Sequence, residues 1–98
     1  MRFCYFYLTE KQDKKYDDFD DWADYARYVA SLVEKGDRVV MWGGLYSDSD
    51  VRRVRQGQTG SVVSDVWKYE YGYDMVTVQL DGVEGEVNVG CSTIEILN

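Results

Sequence analysis

The chain has 98 residues, a formal net charge of −7 and a hydrophobic content of 45%. This length fits one domain, and the apolar content is enough for a folded core, which excludes a disordered chain. No apolar run approaches the roughly 20 residues needed to span a bilayer, and the negative charge disfavours phosphate backbones and anionic membranes as partners. We therefore expect a single domain over residues 1–98 that makes no membrane contact.

The first predicted element is a strand at residues 2–8, where nearly every side chain is aromatic or otherwise apolar. This run is too short and too aromatic for a signal peptide, and no small-residue cleavage site follows it. The prediction is therefore a cytoplasmic protein. An exposed edge at this strand would make a homodimer plausible. Thr9 and Gln12 have the spacing of a capping box, which leaves open where the following helix begins.

The clearest helical pattern covers residues 17–35. Its apolar residues recur at spacings of three and four, and they are Phe19, Trp22, Ala26, Val29 and Val33, with Tyr25 and Leu32 widening the stripe. This pattern predicts one amphipathic helix whose apolar face packs on an open side of a sheet. Gly36 is predicted to end the helix in the left-handed conformation at C′.

Beyond Gly36 the apolar period changes to two, which is typical of strands. The pattern predicts strands at 38–42, 60–67, 75–80, 86–89 and 93–97. A hairpin loop is expected at 69–74, and Asp81-Gly82 is a tight-turn dipeptide. Five short strands separated by turn signals fit a small barrel, so the predicted fold class is α+β, with a strand and helix over 1–35 and a barrel over 36–98.

The order of these signals resembles a known family. Its segments are Gly36-Asp37-Arg38-Val39-Val40, Gly57-Gln58-Thr59-Gly60-Ser61-Val62-Val63, Val76-Thr77-Val78-Gln79-Leu80-Asp81-Gly82 and Ile94-Glu95-Ile96-Leu97. Together they resemble the KOW-type SH3-like barrels of ribosomal proteins and transcription elongation factors. The resemblance implies a five-stranded SH3-like barrel, and nucleic acid or ribonucleoprotein as the partner. In such a barrel, Gly57 and Gly60 would provide a positive φ and a close approach of strands.

The chain offers little catalytic chemistry. It contains no histidine, which removes the commonest general base and the commonest metal ligand. Two distant cysteines cannot build a zinc site, and Gly43-Gly44 lacks the lysine of a phosphate-binding loop. We therefore predict no enzyme activity, no catalytic residue and no cofactor. Cys4 and Cys91 are interpreted as buried free thiols, with a bridge between the first and last strands as the alternative.

The densest charge cluster lies at the predicted helix start and consists of Asp17, Asp18, Asp20, Asp21 and Asp24. A solvated helix start stabilised by the helix dipole is the simplest interpretation. The second is a row of carboxylates that faces a basic partner. A divalent-cation site is the third, because Asp17, Asp21 and Asp24 would share a helix face, but no calcium-loop pattern follows and no metal site is predicted.

A second candidate surface is aromatic. Tyr69, Tyr71 and Tyr73 would lie on one face of the predicted hairpin, with little core available to them. Trp42 and Trp67 are explained by core and cross-strand packing. Because tyrosine is common in binding hot spots, the hairpin is the first candidate for a contact surface.

A third candidate is the basic cluster of Arg52, Arg53 and Arg55. With Asp48 and Asp50 close in sequence, these arginines would form a solvated, self-paired loop. Contact with a phosphate or an acidic partner is the alternative.

From the sequence we predict a non-catalytic protein-binding module whose partner has a basic surface. By analogy of type, small acidic inhibitors of nucleic-acid-handling proteins are encoded by phages, anti-CRISPR proteins and DNA mimics among them. The alternative is a KOW-like barrel that binds nucleic acid or a ribonucleoprotein. The net charge favours the first hypothesis.

Overall fold

The computed structural model describes residues 11–41 and 54–97. These residues form helix α1 (Trp22–Leu32) and strands β1 (Arg38–Met41), β2 (Thr59–Val62), β3 (Trp67–Lys68), β4 (Asp74–Leu80), β5 (Glu86–Gly90) and β6 (Ile94–Ile96). Short 3-10 turns lie at Tyr16–Asp18 and Cys91–Thr93. The α+β class is therefore confirmed, whereas the predicted strand at 2–8 and Trp42 lie outside the described residues.

Within the described residues the strands make one antiparallel sheet of six, and β4 is its hub. The order β3-β4-β2-β1-β6 forms the main path, and β5 pairs with β4. β2 and β3 occupy one edge of β4 in succession, and β5 occupies the other. β1 lies between β2 and β6, so the last strand pairs with the first described one.

The single strand predicted at 60–67 was wrong, because β2 ends at Val62 and β3 begins at Trp67. Ser64 explains the break. Its hydroxyl accepts the hydrogen bond of the Thr77 amide at 3.0 Å, and Asp65 follows as an exposed residue. A side-chain acceptor in place of a carbonyl interrupts the ladder, so the strand bulges before it resumes along β4.

The predicted roles of two glycines are confirmed. Gly57 has a φ of +94°, in the turn closed by the Gln58 amide and the Arg55 carbonyl at 3.2 Å. Gly60 lies against β4 so closely that a Cβ there would be 2.6 Å from the carbonyl oxygen of Gln79. A side chain at Gly60 would therefore force β2 and β4 apart.

The helix is shorter than predicted, because it starts at Trp22 rather than at residue 17. Asp21 is extended, with a φ of −149°, and its carboxylate accepts the Asp24 amide at 3.0 Å. A short polar side chain that caps the helix in this way marks its first turn. The segment before it forms only the separate 3-10 turn Tyr16–Asp18.

The helix also ends earlier than predicted, with Val33 as an extended C-cap residue. The Glu34 amide donates to the Asp37 carboxylate at 2.8 Å, and the Asp37 amide donates back to the Glu34 carbonyl at 3.0 Å. Gly36 has the expected positive φ, +99°, but it serves this turn into β1 rather than the helix C′ position.

One face of α1 packs on β4 and on the Cys91–Thr93 turn, which confirms that the helix covers the sheet. Tyr25, Ala26 and Val29 are buried there, in a core shared with the inward side chains of the strands. The Lys11 ammonium pairs with the buried Asp37 carboxylate at 2.7 Å and the exposed Glu34 at 2.9 Å. These bonds raise the pKa of Lys11 and tie the segment before the helix to its end.

A buried polar cluster, the Gln12–Tyr25 junction, fixes the helix to β6. The Tyr25 hydroxyl donates to the Ile94 carbonyl at 2.7 Å and accepts the Gln12 side-chain amide at 3.0 Å. The Gln12 side-chain oxygen in turn accepts the Ile96 amide at 2.8 Å. Gln12 is therefore a fully satisfied core residue, a role that its sequence position gave no reason to expect.

Candidate functional site

The acidic segment ahead of α1 is held in place by aromatic side chains. The rings of Tyr16 and Phe19 each pack edge-on against Tyr25, at centroid distances of 5.4 and 5.6 Å. Phe19 also contacts Tyr28. The aspartates between and after these two anchors are exposed, so the segment presents carboxylates from a fixed backbone.

The prediction that Asp17, Asp18, Asp20 and Asp21 lie in the first turn of the helix was wrong, because α1 begins only at Trp22. Of the five, only Asp24 lies in the first turn of α1, where it pairs with Arg27. Asp21 is the N-cap, and the Asp18 carboxylate accepts the Lys15 amide at 3.0 Å. The predicted common face of Asp17, Asp21 and Asp24 also depended on a helix that begins before Asp21.

Asp17 and Asp20 have no such structural task. Both are exposed, and neither makes a hydrogen bond or ion pair with the described parts of the chain. Their charges can therefore be removed without removing a cap or a salt bridge.

The aromatic hairpin between β3 and β4 is confirmed as a tight loop. The Tyr69 amide donates to the Tyr73 carbonyl, and the Gly72 amide donates to the Tyr69 carbonyl, each at 2.8 Å. Gly72 has a φ of +89°, as a three-residue hairpin loop with a bulge requires. The ring centroids of Tyr69 and Tyr71 are 6.0 Å apart, and Tyr71 is 74% exposed at the tip of the hairpin.

The helix start and the hairpin meet through one ring contact. The Trp22 and Tyr73 centroids are 5.4 Å apart and their planes are inclined by 57°. Trp22 remains 45% exposed and Tyr73 47% exposed. The contact joins the acidic segment to the aromatic hairpin, and we call Asp17, Asp20, Trp22, Tyr71 and Tyr73 the aromatic-acidic surface.

Sequence reasoning placed Trp22 in the buried stripe and so missed it as a surface residue. The sequence did contain a signal, because a residue that directly follows an N-cap aspartate occupies the first helical position. A residue there lies at the end of the helix, where the surface that the helix covers also ends. Trp67 is half-buried, and its indole N–H lies 3.3 Å from the Thr77 hydroxyl, in agreement with cross-strand packing.

Of the predicted basic cluster, Arg52 and Arg53 lie outside the described residues, and Arg55 is exposed at the start of the Arg55–Gln58 turn. Arg38 forms a two-point contact with Asp81. This guanidinium, together with the Thr59 hydroxyl, lowers the pKa of Asp81 to about 2. Arg38 begins β1 and Arg55 begins the turn before β2, so neither lies on the segments that carry the aromatic-acidic surface.

The described residues hold no group of three or more metal-binding side chains. Cys91 is a free, fully buried thiol, as predicted, whereas Cys4 lies outside the described residues. Burial, with a smaller contribution from Asp74, raises the pKa of Cys91 to about 12. A thiol that stays protonated in the core is a packing group and a poor nucleophile.

Comparisons of this chain with protein-family models, curated proteins and solved structures gave no match. Among the described residues, no helix is long and apolar enough to cross a membrane, and α1 has 11 residues. The geometry of the surface itself therefore carries the functional argument.

Proposed function

We propose that this chain is a non-catalytic protein-binding module that docks on a basic protein through its aromatic-acidic surface. One observation carries the proposal. The large hydrophobic side chains that are exposed in the described residues are Trp22, Tyr71 and Tyr73, and all belong to this surface. Exposed aromatic groups that gather at one place mark interaction sites far better than scattered ones do.

The two parts of the surface would do different work in binding. Trp22 and Tyr73 supply rigid apolar area, which contributes affinity when a partner covers it. Asp17 and Asp20 supply negative charge, which speeds the encounter with a basic surface and excludes acidic partners. The chain's net charge of −7 acts in the same direction over longer distances.

The partner class that suits these properties is a nucleic-acid-handling protein. Such proteins expose basic grooves that hold phosphates, and a chain with carboxylates on a fixed backbone can occupy such a groove. Inhibition of the phage-encoded type, by acidic mimicry of the nucleic acid, follows as the mode of action. Neither an enzyme activity nor a cofactor is part of this proposal.

We further propose that the sheet belongs to the SH3-like, KOW-type barrels. The strand order supports this: β1 pairs with both β2 and β6, and a 3-10 turn at Cys91–Thr93 links β5 to β6. Such barrels often bind nucleic acid, which makes that role the alternative outcome of the experiment below.

The test is capture from a bacterial lysate on the immobilised chain, with half of the lysate treated with nuclease, scored by quantitative mass spectrometry. Two charge-matched variants are compared: Asp17→Asn with Asp20→Asn, and Glu84→Gln with Glu86→Gln. Glu84 lies in the turn between β4 and β5, and Glu86 begins β5, so both are at the end of β4 opposite the aromatic hairpin. A strand of the length of β4 separates the two places by roughly 20 Å.

The proposal predicts that basic proteins are retained without nucleic acid, and that retention falls with the aspartate pair but not with the glutamate pair. If both variants retained basic proteins equally well, retention would be explained by non-specific charge attraction, and the proposal would be contradicted. Retention that disappears after nuclease treatment would support the nucleic-acid alternative.

A further inference from the structure

We propose that the aromatic-acidic surface selects arginine over lysine and takes an arginine-rich segment of its partner. This inference rests on the proposed function, and it names the chemistry that the partner must present.

The two rings at the junction leave room for a third planar group. The ring centroids of Trp22 and Tyr73 are 5.4 Å apart and the ring planes are inclined by 57°, so the rings are not stacked face to face. About half of each side chain remains exposed after this contact. Aromatic faces carry negative potential, and tryptophan is the best of them for binding a cation.

The carboxylates supply what a stacked cation would still need. Asp20 lies two residues before Trp22, is exposed and has no partner among the described residues. A guanidinium can stack on a ring through its face while its N–H groups donate to a carboxylate in the same plane. An ammonium is a compact, strongly hydrated charge that cannot do both, so the arrangement favours arginine.

Two of the chain's neighbouring cations are engaged elsewhere, and Lys14 and Lys15 form no ion pair with Asp17 or Asp20 in the described structure. Arg27 of the helix pairs with Asp24, and Lys68 of the hairpin pairs with Asp74 at 2.7 Å. Neither therefore neutralises Asp17 or Asp20 within the described structure. The surface keeps unsatisfied negative charge beside exposed aromatic rings, and an arginine-rich segment complements both.

The test uses fluorescein-labelled octa-arginine and octa-lysine peptides, with affinities measured by fluorescence anisotropy at about 0.1 M salt, where the Debye length is about 10 Å. Because both peptides carry the same charge, the ratio of their affinities reports the contribution that is specific to the guanidinium group. We expect octa-arginine to bind at least about fivefold more tightly than octa-lysine, since only a guanidinium can stack on the ring and donate to the carboxylate together.

Three variants locate the preference. Trp22→Leu keeps an apolar side chain but removes the aromatic face, so the arginine-to-lysine ratio should fall towards one. The double variant Asp17→Asn, Asp20→Asn should bind both peptides more weakly. The double variant Glu84→Gln, Glu86→Gln should leave the arginine-to-lysine affinity ratio unchanged. Circular dichroism and thermal melting of each variant show whether it is folded, and Tyr73→Leu repeats the test from the other ring.

The outcomes separate this inference from the proposed function. Equal binding of both peptides, sensitive to the aspartate pair, would overturn arginine selection while the basic-partner function stands. No binding of either peptide would contradict both. A ratio unchanged in Trp22→Leu and Tyr73→Leu would place the preference elsewhere and overturn the inference. The inference would also be overturned if the chain proved to be a dimer that dissociates in the Trp22→Leu variant. Tighter binding of a labelled single-stranded DNA than of either peptide would overturn it as well.

Discussion

Trp22 and Tyr25 lie three residues apart on α1, yet their surroundings are opposite. Tyr25 is 1% exposed, and its hydroxyl is satisfied by the Ile94 carbonyl and the Gln12 amide. Trp22 is 45% exposed, and among the described residues its ring packs against that of Tyr73, which is exposed as well. The Gln12–Tyr25 junction therefore stabilises the fold, whereas the aromatic-acidic surface is available for a partner.

This contrast shows how one amphipathic helix can both stabilise the fold and present a surface to a partner. The interior of α1 is committed to the sheet, and its first turn extends past the covered region towards the hairpin. Mutations on the two sides should therefore separate stability from binding.

Tyr25→Ala should be the most damaging change to the fold. It removes a buried aromatic side chain together with the hydroxyl that bonds the Ile94 carbonyl and the Gln12 amide. We expect a loss of about 3–5 kcal/mol in the free energy of unfolding, measured by urea titration. A loss below about 1 kcal/mol would contradict the central place given to this junction.

Gln12→Ala should cost less, about 1–3 kcal/mol, because it leaves the buried Ile96 amide without an acceptor but creates a smaller cavity. Gln56→Ala is the matched control, since Gln56 is exposed. Similar urea midpoints for both variants would show that burial of Gln12 does not matter to stability.

Alkaline pH should weaken the fold through Cys91. Its thiol would lose a proton near pH 9 in the unfolded chain, but burial in the folded chain raises its pKa to about 12. Because the folded pKa is the higher one, stability is complete below pH 9 and falls as the pH rises from 9 to 12. The slope from one such group is about 1.4 kcal/mol per pH unit.

Tyr25 adds to this loss above pH 10, because burial raises its pKa as well. Cys91→Ala removes the thiol's part, so its stability should fall less steeply between pH 9 and 10 than that of the original chain. Parallel curves in urea titrations across this range would mean that Cys91 does not resist ionisation.

Tyr71→Ala should have the smallest effect on the fold. The side chain is 74% exposed at the hairpin tip, so its loss should change the free energy of unfolding by less than about 0.5 kcal/mol. Thermal melting gives the comparison with Tyr25→Ala, which replaces the same residue type in a buried place. A large drop in Tm would show that the hairpin is part of the core.

Much of the architecture could be predicted because local pattern and tertiary structure agree. The alternation of valines gave β4 and β5 nearly to the residue, and Gly57 and Gly60 carried their backbone requirements in their identity. Where a side chain replaced a backbone group, the pattern misled. Ser64 divided one predicted strand in two, and the Asp21 cap moved the helix start.

The site was harder to predict because it depends on two segments about 50 residues apart in sequence. The acidic cluster and the hairpin tyrosines were each visible, but their meeting at Trp22 and Tyr73 follows from how α1 crosses the sheet. Periodicity places a residue on a helix face and cannot say where the covered surface ends. That boundary is what leaves Trp22 exposed.

The most direct test is the affinity of the main basic protein retained from lysate, measured by isothermal titration calorimetry with the original chain and with Trp22→Ala. The account predicts a loss of roughly 10- to 100-fold, as expected for an aromatic hot spot, while Glu84→Gln with Glu86→Gln binds as the original does. An unchanged affinity in folded Trp22→Ala would contradict the claim that this surface is the binding site.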